Sequence, residues 1–367
     1  MRLESITIEN FRNHRKLEFE PGPSITVIHG RNGTGKTSIL EAVHYCAFTR
    51  GFAGSTDREC LSFGMDQFII RGLFNSDRNL TTAVRIAYAP EKEKQVLVNE
   101  QEMNSFSRHI GTIPCITFTP GELAIVNGAP SERRRFLDTS ICQYDRKYLA
   151  DMMQYRRVLQ QRNALLLDGI NSHSTMAAFD IWTDQIASLA ATIVISRLEF
   201  IRKFGAMFVA TYSWFPGDLE PEIRYQSSYG KFENDQDKEG ITEFFRGRHQ
   251  SLKEQEIQRR QTLAGPHRDD LLLLTNGYET RKYASQGEQR SYLIAMKMAL
   301  RGYLYEITNE HPIIIFDDIF SELDPATEEI ILKDLLLYGQ VLITSTIEIN
   351  RPGILNCAVQ NMVKKKG

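Results

Sequence analysis

The pattern of apolar and polar positions divides the chain into stretches of different period. Residues 2–8 alternate, with Leu3, Ser5 and Thr7 on one side and Glu4, Ile6 and Ile8 on the other. With Leu17-Glu18-Phe19-Glu20 they predict a hairpin turning through Asn10–His14. Pro21-Gly22-Pro23 separates it from Ser24–His29, a short buried strand, and Ser38–Tyr45 then carries apolar residues at helical spacing. Runs at Gln67–Phe74, Leu80–Tyr88 and Lys94–Asn99, divided by Asn75-Ser76-Asp77 and Ala89-Pro90-Glu91, predict an antiparallel meander. Ile113–Phe118 is a further buried strand. The period then turns helical at Ser131, which reads as the cap with Pro130 just ahead, and runs with breaks near Asp168-Gly169 and Asn171-Ser172 to Tyr212. Leu189, Ile193, Ser196 and Phe200 lie on one face of its longest helix. A polar loop around Asn234–Gly240, a helix over Ile241–Arg260 and a strand at Leu271–Leu274 follow. Pro312–Phe316 is an apolar strand that ends in two carboxylates, Asp317 and Asp318. The expected fold is α/β, a mixed sheet with an antiparallel flank interrupted by an all-helical block. Residues 1–122 and 262–367 form the α/β lobe and 123–261 the helical insertion.

Composition narrows the partners. The chain has 367 residues, enough for two lobes. Its 44 basic and 46 acidic residues give a formal charge of −2, so contact with a polyanion would need local patches. The five cysteines, Cys46, Cys60, Cys115, Cys142 and Cys357, are odd in number and form no C-x-x-C pair. That argues against a zinc site and a secreted disulfide framework, and points to a reducing cytoplasm. Met1–Ser5 lacks a signal-peptide core, and no apolar run approaches the roughly 20 residues of a membrane span. The expectation is a soluble chain with no membrane partner.

The chemistry sits at the ends of two of the predicted strands. Gly30-Arg31-Asn32-Gly33-Thr34-Gly35-Lys36-Thr37 fits G-x-x-x-x-G-K-[ST] between a strand and a helix. Its glycines let successive N–H groups converge on an anion, Lys36 adds a charge for the β- and γ-phosphates, and Thr37 offers a hydroxyl to magnesium. ATP and Mg2+ are the implied cofactors. Asp317, at the end of an apolar strand, matches the carboxylate that holds the ion in such sites. Asp318 can orient or deprotonate an attacking water. Arg12 has two readings, a phosphate contact or a solvated hairpin turn.

Upstream of Asp317 lies Ser285-Gln286-Gly287-Glu288-Gln289-Arg290, and downstream Ser321-Glu322-Leu323-Asp324. The order of phosphate loop, long helical insertion, S-x-G-x-Q-type signature, apolar-Asp-Asp and S-x-L-D is similar to the ABC-type ATPase heads of the SMC superfamily. Within that group, the signature, Ala264–Asp270 and Pro130–Asp138 resemble the RecF family of bacterial recombination mediators, over nearly the whole chain. The resemblance implies an ABC-type ATPase head with an inserted helical lobe. It also implies an ATP-dependent homodimer in which Ser285 and Gly287 of one copy touch the γ-phosphate held by the other. The implied function is ATP-dependent binding of single-stranded and double-stranded DNA and gap junctions. That role lies in recombinational repair, replication-gap processing and the SOS response, with slow, DNA-stimulated hydrolysis and with other recombination mediators and recombinase as partners. An SMC-like chromosome-organising module is the alternative, disfavoured by the lack of a long heptad arm and a C-x-x-C hook. A transporter ATPase is disfavoured by the antiparallel flank and by the absence of a switch histidine. Ser345 or Thr346 stands where that histidine would be, Asp318 where transporters carry Glu, Glu288 where the signature carries Gln, and Glu122 where a lobe-coupling Gln belongs.

DNA contacts would come from Arg133, Arg134 and Arg135, and from Arg146, Lys147, Arg156, Arg157 and Arg162. Such side chains can neutralise phosphates without reading bases. Taken singly, each also reads as a solvated helix face or an ion pair, and the 133–135 run as a dimer or lobe contact.

Overall fold

The computed structural model of the chain describes residues 1–170, 172–216, 219–230, 237–318, 325–336 and 339–359. The Ser321–Asp324 motif lies outside them. In chain order the strands are β1 (Arg2–Phe11), β2 (His14–Phe19), β3 (Ile25–His29), β4 (Phe68–Asn75), β5 (Thr81–Tyr88), β6 (Gln95–Val98), β7 (Gln101–Glu102), β8 (Cys115–Phe118), β9 (Pro221–Gln226), β10 (Asp270–Thr275), β11 (Tyr278–Glu279), β12 (Ile313–Phe316), β13 (Val341–Ser345) and β14 (Ile354–Ala358). The helices are α1 (Lys36–Phe48), α2 (Asp57–Cys60), α3 (Ala124–Asn127), α4 (Pro130–Cys142), α5 (Arg146–Asp168), α6 (His173–Tyr212), α7 (Lys238–Arg259), α8 (Thr280–Tyr283), α9 (Gln286–Thr308) and α10 (Pro325–Leu335).

The chain forms two compact units. The first comprises residues 1–123, 210–217 and 286–367, and the second 124–209 and 218–285. Residues 262–285, assigned from sequence to the α/β lobe, belong to the second unit. The reason is a strand the pattern did not reveal. β10 pairs antiparallel along its length with β9, from Asp270 opposite Gln226 to Thr275 opposite Pro221. β9 opens on a proline and offers only Ile223 and Tyr225 as apolar residues, which suits a sheet edge and leaves little periodic signal.

In the first unit the antiparallel flank is a sheet of its own. Six strands run in the order β2-β1-β4-β5-β6-β7, and five parallel strands in the order β14-β3-β13-β12-β8. Twelve of the 13 residues of α1 are buried. A helix enclosed on every side belongs in a core. Ile39, Val43 and Cys46 of α1 join one cluster with Ile6, Ile8, Phe68 and Ile70 of the first sheet and Ile28, Ile313 and Leu342 of the second. The Gln340 amide bridges the two sheets. Its Oε1 accepts from Leu3 N–H at 2.7 Å, and its Nε2 donates to Leu3 O at 3.0 Å and Gly22 O at 2.7 Å. Simple alternation would put Leu3 opposite Ile6 and Ile8, yet all three are buried. A bulge between Leu3 and Ser5 inserts one extra residue and brings them to one face.

The second unit holds α4, α5, α7, most of α6 and the sheet β11-β10-β9. α4 begins two residues earlier than a cap at Ser131 implies. Ala129 is its N-cap and Pro130 its first residue, so Ser131 lies inside the helix. By length and composition alone, α6 could cross a membrane, in contrast to the expectation that no apolar run approaches such a span. Its Phe179, Ile186, Ile193, Phe200 and Phe204 are buried within the unit. This core also encloses charge. Arg162 and Glu256 are fully buried and meet at 2.5 Å, and Arg197 pairs with Asp138 at 2.8 Å.

Candidate functional site

The phosphate loop leaves the end of β3 and becomes the first turn of α1. Gly33 and Gly35 have φ of 79° and 91°, left-handed conformations that favour glycine and that turn the loop back on itself. Arg31, Asn32, Gly33 and Thr37 are exposed, Thr34 is half-buried, and Gly35 and Lys36 are buried. Lys36 Nζ donates to Gly30 O at 2.9 Å and Arg31 O at 3.1 Å, which places its ammonium across the curl of the loop. Behind the loop, His14 Nε2 lies 2.9 Å from Gly35 O, and Asn13 Nδ2 lies 3.5 Å from Gly33 O.

Parallel pairing brings the other half of the site to the same carboxyl end of the central strands. β13 lies between β3 and β12, with Ser345 opposite His29 and Ile343 opposite Phe316. Asp317 follows β12 directly. Thr37 Oγ1 donates to Asp317 Oδ1 at 2.8 Å, joining positions 280 residues apart. Thr344, on the intervening strand, donates its hydroxyl to the same Oδ1 at 2.9 Å and accepts the Asp318 N–H at 2.9 Å. Burial pushes the Asp317 carboxyl above the usual carboxylate range, with Asp318 and Glu41 adding to the effect, while the bonds from Thr37 and Thr344 oppose it. Asp318 has a φ of 54°, an uncommon conformation for aspartate, and is half-buried. The donor set suits magnesium. Hydroxyl and carboxylate oxygens are the hard ligands it takes, and Thr37 and Asp317 bring one of each together.

A model of the AAA domain family matches residues 5–259. The chain is 56% identical over 366 residues to the DNA replication and repair protein RecF of Chlorobaculum tepidum, covering all of both chains. The chain belongs to the RecF family. A solved structure described as the recombination mediator protein RecF-ATPrS in the RecFOR pathway superposes with a TM-score of 0.89 at 29% identity, over 98% of this chain and 96% of that one. An Smc head domain from Pyrococcus furiosus gives 0.55 at 13% identity, over 96% and 92%, a likeness of fold alone.

The remaining residues singled out from the RecF-like sequence fall into distinct settings. Ser285, Gln286 and Gly287 are exposed where α9 begins, and a side chain at Gly287 would meet nothing within 4 Å. Arg12 is committed to protein. Its guanidinium grips the Glu41 carboxylate at 2.6 and 2.7 Å, Ser55 Oγ at 2.8 Å and Glu59 O at 2.8 Å. Glu41 is buried one turn beyond Thr37 and needs such a partner. Arg133 and Arg162, read as candidate DNA contacts, are buried. Arg133 forms a two-pronged pair with Asp270 and Arg162 pairs with Glu256. Arg134 donates to Asp269 O at 2.8 Å, and Arg135 is half-buried. Arg146, Lys147, Arg156 and Arg157 are exposed on α5. At 3.6 residues per turn only Arg146 and Arg157 share a face, roughly 16 Å apart, with the other two to either side. Glu122 accepts Lys297 Nζ at 2.6 Å within its own unit.

Thr344, His14 and Asn13 were missed. Of the two residues that stand at the switch-histidine position, Ser345 accepts the Ile347 N–H at its Oγ and Thr346 is exposed. The available signal was a hydroxyl closing the apolar run Val341-Leu342-Ile343. Replacing Thr344 with valine keeps the shape and removes the bond to Asp317. Partners of this kind carry roughly 10–100-fold in activity. A fall of that size in phosphate release, with nucleotide affinity little changed, is the expected result.

Proposed function

We propose that the chain is an ATP-dependent DNA-binding protein of recombinational repair and replication-gap processing in the cytoplasm. Closure by a second copy around nucleotide would regulate its grip on DNA. The observation that carries this reading is the meeting of Thr37, Asp317 and Thr344 at the carboxyl ends of the central strands, beside a loop whose glycines and lysine suit a triphosphate. Family membership and the relative described as RecF-ATPrS support it. Gly30–Thr37 would hold the phosphates, and Thr37 and Asp317 the magnesium ion. Bound magnesium would neutralise charge on the β- and γ-phosphate oxygens. Asp318 would accept the proton of the attacking water at its carboxylate. The exposed Ser285 and Gly287 would meet the γ-phosphate held by the partner copy. Hydrolysis, weak and DNA-stimulated, would reopen the dimer. Arg146, Lys147, Arg156 and Arg157 are the cations of α5 open to a DNA backbone, and other recombination mediators and recombinase are the proposed protein partners.

Light scattering tests this on the wild type and Lys36→Arg, with and without ATP and gapped DNA. Wild type should double in mass with ATP and bind DNA more tightly, while Lys36→Arg stays monomeric. A wild type that remains a monomer at micromolar concentration with both ligands would defeat the dimer reading.

A further inference from the structure

The hairpin turn between β1 and β2 lies behind the phosphate loop, and the proposed chemistry does not use it. Arg12 in the turn has a φ of 51°, an uncommon conformation for arginine that surrounding contacts must maintain, and Asn10 just before it has a φ of 54°. Those contacts are present. Arg12 N–H donates to Cys60 O at 2.8 Å, Ser62 N–H to Asn10 O at 2.9 Å, and Ser62 Oγ to Arg12 O at 2.6 Å. The Arg12 guanidinium is anchored to Glu41 of α1. The turn is therefore fixed to the body of the unit, and His14 projects from it against the loop. His14 is 4% exposed. Its ring fills the place a side chain at Gly35 would take, since a Cβ there would lie 2.4 Å from His14 Nε2. Burial lowers the His14 pKa, keeping the ring neutral, and Gly35 O can only accept, so Nε2 carries the hydrogen.

We infer that His14 is a positioning residue for the phosphate loop, acting through the peptide group between Gly35 and Lys36. That peptide is planar and trans, so its C=O and N–H point in opposite directions. Gly35 O accepts from His14 Nε2 behind the loop and from Ile39 N–H at 3.3 Å, the first bond of α1. With the carbonyl held by two donors, the Lys36 N–H is turned to the other side, where an anion-binding nest needs it. Asn13 holds the Gly33 carbonyl in the same sense at longer range. The inference rests on the reading of Gly30–Thr37 as a nucleotide phosphate site.

The full chain carrying His14→Gln is compared with His14→Met. The two side chains have nearly the same shape, and only Gln can donate to Gly35 O. The readouts are the dissociation constant of a fluorescent ATP analogue and the melting temperature. Met should weaken binding about tenfold, the loss of roughly one hydrogen bond. Gln should stay within about twofold of wild type, and both should melt close to it. Equal binding by Met and wild type, or equal loss in Met and Gln, overturns the inference. So does a Met variant that fails to fold where Gln folds, because the bond would then serve the fold and not the loop. If the wild type binds no analogue while the chain is folded, the phosphate-site reading itself fails and this inference with it.

Discussion

Asp317→Asn is expected to abolish steady-state ATP hydrolysis, by roughly 10²–10³-fold, the scale on which one preorganised charge-stabilising group acts, while leaving the fold intact. The geometry separates the two effects. Asparagine keeps an Oδ1 to accept from Thr37 and Thr344, so the contacts across the strand ends survive. What disappears is the negative charge proposed to hold magnesium. The sign of the stability change follows from the raised pKa of the wild-type carboxyl. A carboxyl whose folded pKa exceeds its unfolded one contributes stability that is complete below the unfolded value and is lost as pH rises through the folded value. At neutral pH the wild type bears that loss and the asparagine variant does not. Its melting temperature should equal or exceed the wild type's in buffer without divalent ions. Magnesium with ATP should raise the melting temperature of the wild type much more than that of the variant. Thermal scans with and without magnesium, beside a phosphate-release assay, check both halves. A variant that hydrolyses within tenfold of wild type would remove Asp317 from the proposed metal site.

Much of this site was legible in the residues. The phosphate loop carries a strict spacing, and Asp317 closes an uninterrupted apolar run, so both halves were identifiable without coordinates. What joins them was not. Thr344 acts because β13 happens to lie between β3 and β12, and strand order across a parallel sheet leaves no local trace in sequence. His14 was hidden for a related reason, since its role depends on where a hairpin turn sits relative to a loop about twenty residues away. The basic residues show the opposite failure. Arg133 and Arg162 look like their exposed neighbours in composition, and only their partners, Asp270 and Glu256, at 137 and 94 residues' separation, reveal them as buried. Charge is readable from sequence, but its availability is not. Many of the strands and helices were found because their periods are strong, but β13 and β14 of the parallel sheet were not among them. β9 was missed because a short edge strand opening on proline has almost no period to read.

The second large effect is expected from Arg162→Met. Arg162 is fully buried, donates to Glu256 at 2.5 Å, Thr262 at 2.8 Å and Thr183 at 3.1 Å, and lies over the Phe179 ring at 4.3 Å. Methionine can fill much of the volume but leaves the Glu256 carboxylate enclosed without its cation. Breaking one side of a buried pair costs about 3–5 kcal/mol. Glu256 retains the Leu263 N–H at 2.8 Å and His249 at 3.5 Å. Burial lowers the His249 pKa, which makes it a poor replacement for a permanent charge. The variant should therefore unfold at clearly lower urea concentration, with loss of hydrogen-exchange protection concentrated in α5 and α7. Adding Glu256→Leu to Arg162→Met should restore most of the lost stability, because replacing both members of such a pair by apolar residues is often close to neutral. A single variant as stable as wild type would show that the pair contributes nothing, and a double variant worse than the single would show that Glu256 has a separate task.

The bulge near the start of β1 sets where this chain can change length. Glu4 is the residue without a counterpart, since Leu3 faces Phe74 and Ser5 faces Leu73. Deleting it would convert the strand to uninterrupted alternation, with Leu3, Ile6 and Ile8 still facing inward. Deleting Thr7 instead would turn the residues on one side of the gap over, putting hydrophobic side chains into water or polar ones into the core. Two deletions three positions apart, each of one residue, should thus differ between near-silent and unfolding. Position 4 is the one point in that strand where a natural indel could accumulate without touching the register of everything behind it.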